Sequence, residues 1–568
     1  MEEQPKASLR FGILVDDLTL EAWKVETVRK LVKGGMTLAL VIRNDTKPEQ
    51  NGLHRKLKDY PYRKLFFQIW NHYLFKPESK KMVPLVPALS LLGLNLMEIP
   101  TLDCEPVQKG ISTYLLDKDI ELIKNQNLDF IIRFGFNILR GEILNVARYG
   151  VWSYHHDDEM RYRGGPPGFW EWMGDDPCNG ILLQRLTESL DKGYVLKKRQ
   201  YPTILHSYRA HLDQLYFDST DMSLQVCREL LQSGVLDEHL SESKAPIYHA
   251  PNNVKMLEYW IKCVTRRCRF HLHDLFKQED WDVGFVEAPL SRFIESPLDF
   301  ETKIRWFRRK RLSEYYADPF IITTKKDTYI FFEQYDYRTG KGCIQATRLS
   351  DDFKKHHTVL TEPFHLSYPF VFEHEGVVYC LPEANESNRL ILYRFDEKTM
   401  RLEQACVLMD HIKAVDPTLV YVEGRWNLFL TKKDFPSVKL YRYLADDLKG
   451  PYKPFHGNPV KADCASARMA GRFFEYNGSL IRPSQECVRY YGTAVCLNRV
   501  DKITDDQYHE TLANTIEPFR RSPFKQGLHT LNGNGQFTVF DGKRWEFTLS
   551  GMFHQLGNKI NKKGKRHV

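Results

Sequence analysis

Two histidines, His155 and His156, close an apolar run in the stretch GVWSYHHDDEMRYRGGPPGFWEW (Gly150–Trp172). An Arg-Gly-Gly-Pro-Pro turn follows at Arg163–Pro167. Further on, in GILLQRLTESLDKGYVL (Gly180–Leu196), Asp191 stands in a second turn just before a glycine. An imidazole and a carboxylate are the group types that hold, deliver or remove a proton beside a reacting centre. Between them Asp157, Asp158 and Glu159 put three acids in a row, which either suits a cationic or polyhydroxylated substrate or forms a solvated loop. Phe169, Trp170 and Trp172 offer ring faces, and Trp170 is the candidate substrate contact.

The elements that must position these groups are legible upstream. Leu9–Val15 and Met36–Ile42 are short apolar runs, and Leu20–Val32 between them carries apolar residues at helical spacing, stopped by Gly34-Gly35. Strand, helix, strand at this length predicts a parallel βαβ unit. The first turn reads Asp16-Asp17, where a dinucleotide fingerprint would place glycines, so an NAD-type site is not expected. Arg63–Phe75 reads as an aromatic amphipathic helix and Leu115–Lys124 as another helix. Asp129–Phe134 is a buried strand with Gly135–Leu139 as its exit loop. A helix around Glu142–Ala147 leads to the strand Val151–Tyr154. Ligands of open α/β sheets sit outside the carboxyl ends of the strands, so the loops after Phe134 and Tyr154 line one crevice. Ser207–Ser233 is helical with a break near Asp218–Thr220, Asp237–Asn252 is a polar linker, and Asn253–Phe276 is a basic helix carrying Trp260 that bridges two domains.

The chain has 568 residues, 42 % hydrophobic and 27 % charged, so two to four soluble domains are expected. A net charge of +8 is partly carried by the tail GNKINKKGKRHV, and no long basic helix or stripe points to nucleic acid. Eleven scattered cysteines without a C-x-x-C pair argue against a disulfide framework or a structural zinc, and no metal is expected. The start MEEQPKASLRFGILVDD has no apolar leader, and no run of about 18 apolar residues occurs. A cytoplasmic setting is the expectation.

The order of strand, His155, Arg163-Gly164 and Leu190-Asp191-x-Gly193 resembles the formyltransferase family, which moves a formyl group from 10-formyltetrahydrofolate to an amine. The resemblance implies a Rossmann-type α/β fold over 1–236. It makes His155 the oxyanion donor and Asp191 its orienting partner and base. The family's asparagine falls on Ser153, whose hydroxyl reaches less far. Losing one oxyanion donor costs on the order of 10²–10³ in rate. Gln184 stands where some relatives keep a histidine. The folate is expected against Phe134, Gly135, Ile138, Leu139, Arg163, Gly164, Thr187 and Leu190. A methionyl-tRNA acceptor is not expected, and an amino sugar or sugar conjugate is.

From Trp281 onward short strands and turns replace helices, and similar openings recur at roughly 50–60 residues, the spacing of propeller blades. They stand at Asp318, Tyr368, Asp416, Arg468 and His529, which gives five blades over 281–568, after a linker and bridging helix at 237–280. Val283–Leu290 is placed to complete the last blade. This half resembles the arabinanase- and xylosidase-like glycoside hydrolases, and more closely the N-terminal module of plant glucosamine inositolphosphorylceramide transferases. Asp318 and Asp416 fall where such hydrolases keep two carboxylates. Their acid belongs where this chain reads Ala465-Ser466-Ala467-Arg468, and without a proton donor the two-carboxylate mechanism fails unless Glu383 serves. Arg468, Arg482, Gln485 and His529 are candidate polar liners of a sugar-binding funnel. The two other readings are a non-catalytic carbohydrate-binding or assembly protein and a glycoside hydrolase.

Overall fold

A computed structural model describes residues 8–46, 62–93, 98–189, 193–307, 313–547 and 552. The chain falls into two compact units, Met1–Cys268 and Arg269–Val568.

The first unit is built on an eight-stranded sheet. Its strands are β1 (Arg10–Val15), β2 (Thr37–Asn44), β3 (Thr101–Cys104), β4 (Phe130–Arg133), β5 (Val151–His155), β6 (Cys178–Arg185), β7 (Tyr194–Pro202) and β8 (His239–Leu240), in the order β8-β7-β6-β5-β4-β1-β2-β3. From β3 to β5 the neighbours run parallel, and β5 to β8 are antiparallel. The parallel strands are buried on both faces, which is why they read as continuous apolar runs rather than alternating ones. The expected helix forms as α1 (Ala22–Lys33), burying Trp23, Val28 and Leu31, and ends where Gly34 returns its N–H to the Lys30 carbonyl. Lys30 and Lys33 in its last turn face the negative end of the helix dipole.

Elsewhere the helical expectations split. Ser207–Ser233 becomes two helices, Tyr208–Ser219 and Met222–Ser233, broken where expected. Glu142–Asn145 is only a 3-10 turn. The aromatic stretch after Arg63 is a short α-helix, Leu65–Ile69, running into a π-helical turn, Trp70–Leu74. Its Trp70 packs with Phe169, Trp172, Tyr208, Met256 and Tyr259, so ring contacts, not helix propensity, shape it. The polar linker is followed by α2 (Asn253–Phe276), and the division between the units falls inside it.

Among its described residues the second unit has five antiparallel sheets, four of four strands and one of five. One of the four-stranded sheets is closed from both ends of the unit: β9 (Gln278–Val286) pairs along its full length with β13 (Thr538–Glu546). The borrowed strand is thus real but starts earlier than Val283. The first strands of three successive sheets, each at an edge, are β10 (Glu314–Thr323), β11 (Ser367–His374) and β12 (Ala414–Val422). One apolar core, including Phe331, Tyr368, Leu392 and Leu428, runs through these sheets. Among the described residues no helix is long and apolar enough to cross a membrane.

Candidate active site and an acidic cluster

β5 ends at His155, between parallel β4 and antiparallel β6. The β5–β6 register pairs Ser153 with Gln184, so the Gln184 side chain reaches His155: its amide nitrogen lies 2.6 Å from Nε2. With the amide donating, Nε2 accepts and the ring proton sits on Nδ1. Burial, and then the charge of Arg133, lowers the His155 pKa to about 4, so the ring is neutral at physiological pH. Ser153 is buried, and its Oγ accepts from Arg133 Nε at 3.2 Å and Nη2 at 3.0 Å. Arg133 also donates to the Asn137 carbonyl.

Two crevices share His155 and Gln184. The larger, about 500 Å³, is lined by Arg133, Ile138, Leu139, Leu186 and Thr187 as well. The smaller, about 300 Å³, adds Asp157, Arg163 and Gly164. The Phe134–Leu139 loop is held from beneath by Asp16, whose Oδ1 accepts the Phe136 N–H at 2.9 Å. Gly135 has no room for a side chain, because a Cβ would stand 2.6 Å from the Asp16 carboxyl carbon. The Asp16 carboxylate therefore organises the loop. Phe134 itself is buried, its ring edge-on to Trp23 and its carbonyl accepting from Lys24.

Asp191 and Leu190 lie outside the described residues. Arg163 spends Nε on the Ala245 carbonyl at 2.7 Å, and Gly164 sits at φ 96° with a Cβ position only 2.1 Å from the Tyr248 carbonyl oxygen. Gly164→Ala is therefore expected to part the short Arg163–Gly164 strand from Ile247–Tyr248. The expected loss is about 1–3 kcal/mol from the backbone conformation alone, measured by thermal unfolding.

The acidic run is not a solvated loop. Asp157 and Asp158 are buried; Asp158 pairs with Lys198 at 2.6 Å, while Asp157 accepts the Gly168 N–H at 2.7 Å and hydrogen-bonds the Glu171 carboxyl. Burial raises the pKa of both carboxyls, and the Asp157 charge raises that of Glu171 further, which favours a proton held between them. Trp170, expected at a substrate, gives its indole N–H to the Gly165 and His249 carbonyls, because the turn leaves those groups needing a donor.

In the second unit β10, β11 and β12 share a device. Asp318, Tyr368 and Asp416 each lie at a register irregularity and each adopt positive φ, at 54°, 44° and 49°. Each N–H is taken by a carboxylate of a neighbouring sheet: Asp541 for Asp318, Asp318 for Tyr368, and Glu383 for Asp416, all at 3.1 Å. Strained backbone of this kind persists where surrounding contacts over-determine it. Asp416 also meets Arg468 Nε at 2.5 Å and Gln485 Nε2 at 3.0 Å. His529 Nε2 lies 3.2 Å from Asp318, and Nδ1 lies 2.6 Å from Asp541, the latter an ion-pair contact outside hydrogen-bond geometry. Burial pulls the His529 pKa down, but Asp541 and Asp318 together hold it above its ordinary value. An imidazolium between two aspartates satisfies this cluster; the ligand atoms of Asp318, His529 and Asp541, all within 4.8 Å, would also suit a metal ion.

Six of the expected residues thus meet here, Asp318, Glu383, Asp416, Arg468, Gln485 and His529. Arg482 does not: it is fully buried inside its own sheet, bonded to Glu510 and to the Ser466 carbonyl. Arg133 and Asp541 escaped notice in the sequence. A charged residue inside the apolar run Phe130–Phe134 was the signal for Arg133. Asp541, in TVFDGKRW, has the look of a turn residue but lies mid-strand.

Residues 307–538 match the family model of Glucosamine inositolphosphorylceramide transferase 1, N-terminal. The similarity is confined to part of each chain. A glucosamine inositolphosphorylceramide transferase 1 of Oryza sativa subsp. japonica is 33 % identical over 233 residues, 39 % of this chain and 30 % of that protein. This chain therefore matches less than a third of the length of that relative. A methionyl-tRNA formyltransferase of Prochlorococcus marinus is 34 % identical over 86 residues, 15 % of this chain and 25 % of that protein. Among solved structures, an N-formyltransferase from Helicobacter canadensis matches with a TM-score of 0.27 and 9 % identity, covering 42 % of this chain and 70 % of the other.

Proposed function

We propose that the first unit is a formyltransferase acting on an amine, with 10-formyltetrahydrofolate as donor and an amino sugar or sugar conjugate as acceptor. The observation that carries this reading is the group Arg133–Ser153–His155–Gln184 at the carboxyl end of β5, opening into two crevices. The bound folate would supply an activated formyl carbon. Ile138, Leu139 and Leu186 give the larger crevice an apolar wall for a flat ring system. His155, neutral and fixed in one tautomer by Gln184, donates to the oxyanion that forms when the amine attacks. Ser153 is too short to reach as an asparagine would, and Arg133, held on its hydroxyl, supplies the second donor. The role of proton acceptor falls to Asp191 by the resemblance, and Asp157, hydrogen-bonded to Glu171, is a second carboxyl on the smaller crevice.

The second unit we read as a five-bladed β-propeller that holds carbohydrate at its acidic cluster. Hydrolysis is disfavoured, because Arg468 ties up Asp416 while Glu383 is committed to the Asp416 N–H and the Asn385 amide. The second reading, a non-catalytic carbohydrate-binding protein, keeps the cluster and discards the transfer.

Titration with 5-formyltetrahydrofolate separates the two. Ligand at about 100 times its dissociation constant stabilises the protein by about 2.7 kcal/mol, seen as a rise in melting temperature. Absence of any rise leaves the non-catalytic reading. Screening aminated nucleotide sugars with formyl donor, read by mass spectrometry, then identifies the acceptor.

A further inference from the structure

The second unit holds a cavity of about 1030 Å³ that none of the chemistry above uses. It lies at the far ends of β10, β11 and β12: Ile322 stands four residues beyond Asp318, roughly 13 Å along β10 at about 3.3 Å per residue. The wall is aliphatic and aromatic, with Ile322, Phe370, Leu419, Trp426 and Phe473, and one cation, Arg472, lies in it. Two of the polar liners are already bonded to each other, the Asn534 amide donating to the Thr323 hydroxyl at 3.0 Å. Glu373 lines the cavity as an exposed side chain.

The placement of Arg472 is built in. Gly471 has φ 144°, and a Cβ there would stand 2.2 Å from the Leu531 carbonyl oxygen, so the chain passes this close only as glycine. The Arg472 N–H is fixed on Asn532 Oδ1 at 2.8 Å, and its guanidinium reaches the Val371 carbonyl of β11. Among the described residues no carboxylate lies within 4.0 Å of it, in contrast to Arg468 and Arg482, both of which have one. Burial alone lowers its pKa, to about 10, which leaves it charged at neutral pH. Arg472 is half-buried, and its planar fork, with no carboxylate on it, matches a carboxylate or phosphate.

We propose that this cavity binds an amphiphilic anion, a carboxylate or phosphate carried on an acyl or aromatic body, with Arg472 meeting the charge and the apolar wall the body. A site that is mostly apolar with one placed cation selects an apolar ligand with one charged end. The site is independent of the transfer chemistry of the first unit.

The test is calorimetric titration of the full chain with dodecanoate, dodecyl phosphate, 1-dodecanol and inorganic phosphate, each below its aggregation limit. Dodecanoate or dodecyl phosphate is expected to bind, the tighter of the two naming the head group, while dodecanol and inorganic phosphate bind about tenfold or more weaker. Arg472→Gln should lose about tenfold for the anion, Arg472→Lys less, and Val420→Phe, at the cavity wall, should weaken all alkyl probes. Quenching or enhancement of Trp426 fluorescence in the unaltered protein reports occupancy even if Arg472→Gln fails to fold, and Trp426→Phe should remove that signal. Dodecanol binding as tightly as dodecanoate, unchanged affinity in a folded Arg472→Gln protein, or no binding of either anion would overturn the proposal.

Discussion

Formyl transfer by a His155→Ala protein is expected to fall by about 10²–10⁴-fold, with binding of 5-formyltetrahydrofolate changed only a few-fold. The loss follows from the position of the ring: it is the strand-end group that both crevices share, and Gln184 holds it in one tautomer. Single-turnover transfer measured by mass spectrometry, beside a binding isotherm, separates the two effects; equal loss in both would make His155 a packing residue. The pH dependence gives a second check. Burial and then Arg133 bring the His155 pKa to about 4, so activity that needs the neutral ring is level through neutral pH and falls only as pH drops toward 4. Arg133→Gln removes one of the two causes and should move that limb to higher pH. The same depressed pKa opposes folding in acid: the unfolded ring takes a proton below about 6.5, the folded one does not, and stability declines as pH falls between these values.

Glu510→Ala in the second unit is expected to cost about 3–5 kcal/mol, the penalty for leaving a buried charge without its partner. Arg482 is fully buried, and Glu510 receives both of its prongs at 2.6 Å, Lys461 at 2.7 Å and the Tyr508 hydroxyl at 2.5 Å. A loss of this size lowers the melting temperature by on the order of 10 °C, readable by calorimetry. The double change Arg482→Met, Glu510→Leu should recover most of it, since well-packed apolar residues replace such pairs at little cost; a double variant as unstable as the single one would show that the charges do more than cancel each other. Burial pushes the Glu510 carboxyl up, but Arg482 and Lys461 outweigh it and hold the pKa at about 2. With an unfolded value near 4.3, the stabilisation is complete above that pH and is lost as pH falls toward 2.

Local chemistry was readable in the chain and mutual position was not. The run Leu9–Val15, the helical spacing up to Val32 and the stop at Gly34 are one-dimensional signals, because a strand or helix records its buried face in its own period. They placed His155 at a strand end and Asp318, Tyr368 and Asp416 at the openings of a repeat. Other assignments required knowing which strand lies beside which. Arg133 reaches Ser153 only because β4 and β5 are parallel neighbours in register, and Gln184 reaches His155 only through the β5–β6 pairing. Nothing in the spacing of residues 133, 153 and 184 encodes that.

The same distinction explains the residues that were misplaced. Arg482 has the composition of a funnel liner, yet its guanidinium is spent on Glu510, which comes 28 residues later and two strands across the same sheet. Asp157 and Asp158 read equally well as substrate contacts or as a solvated run; of the two, the fold removes the second, laying Gly180 against Asp158 and Lys198 opposite it and burying the acids. By itself the sequence determined most of the element types, the change of pattern between the two halves and the groups capable of chemistry, since propensity, period and side-chain type are local properties. Only the tertiary structure decided which donors face one crevice and which charges cancel inside a sheet, because those depend on pairings between segments far apart in the chain.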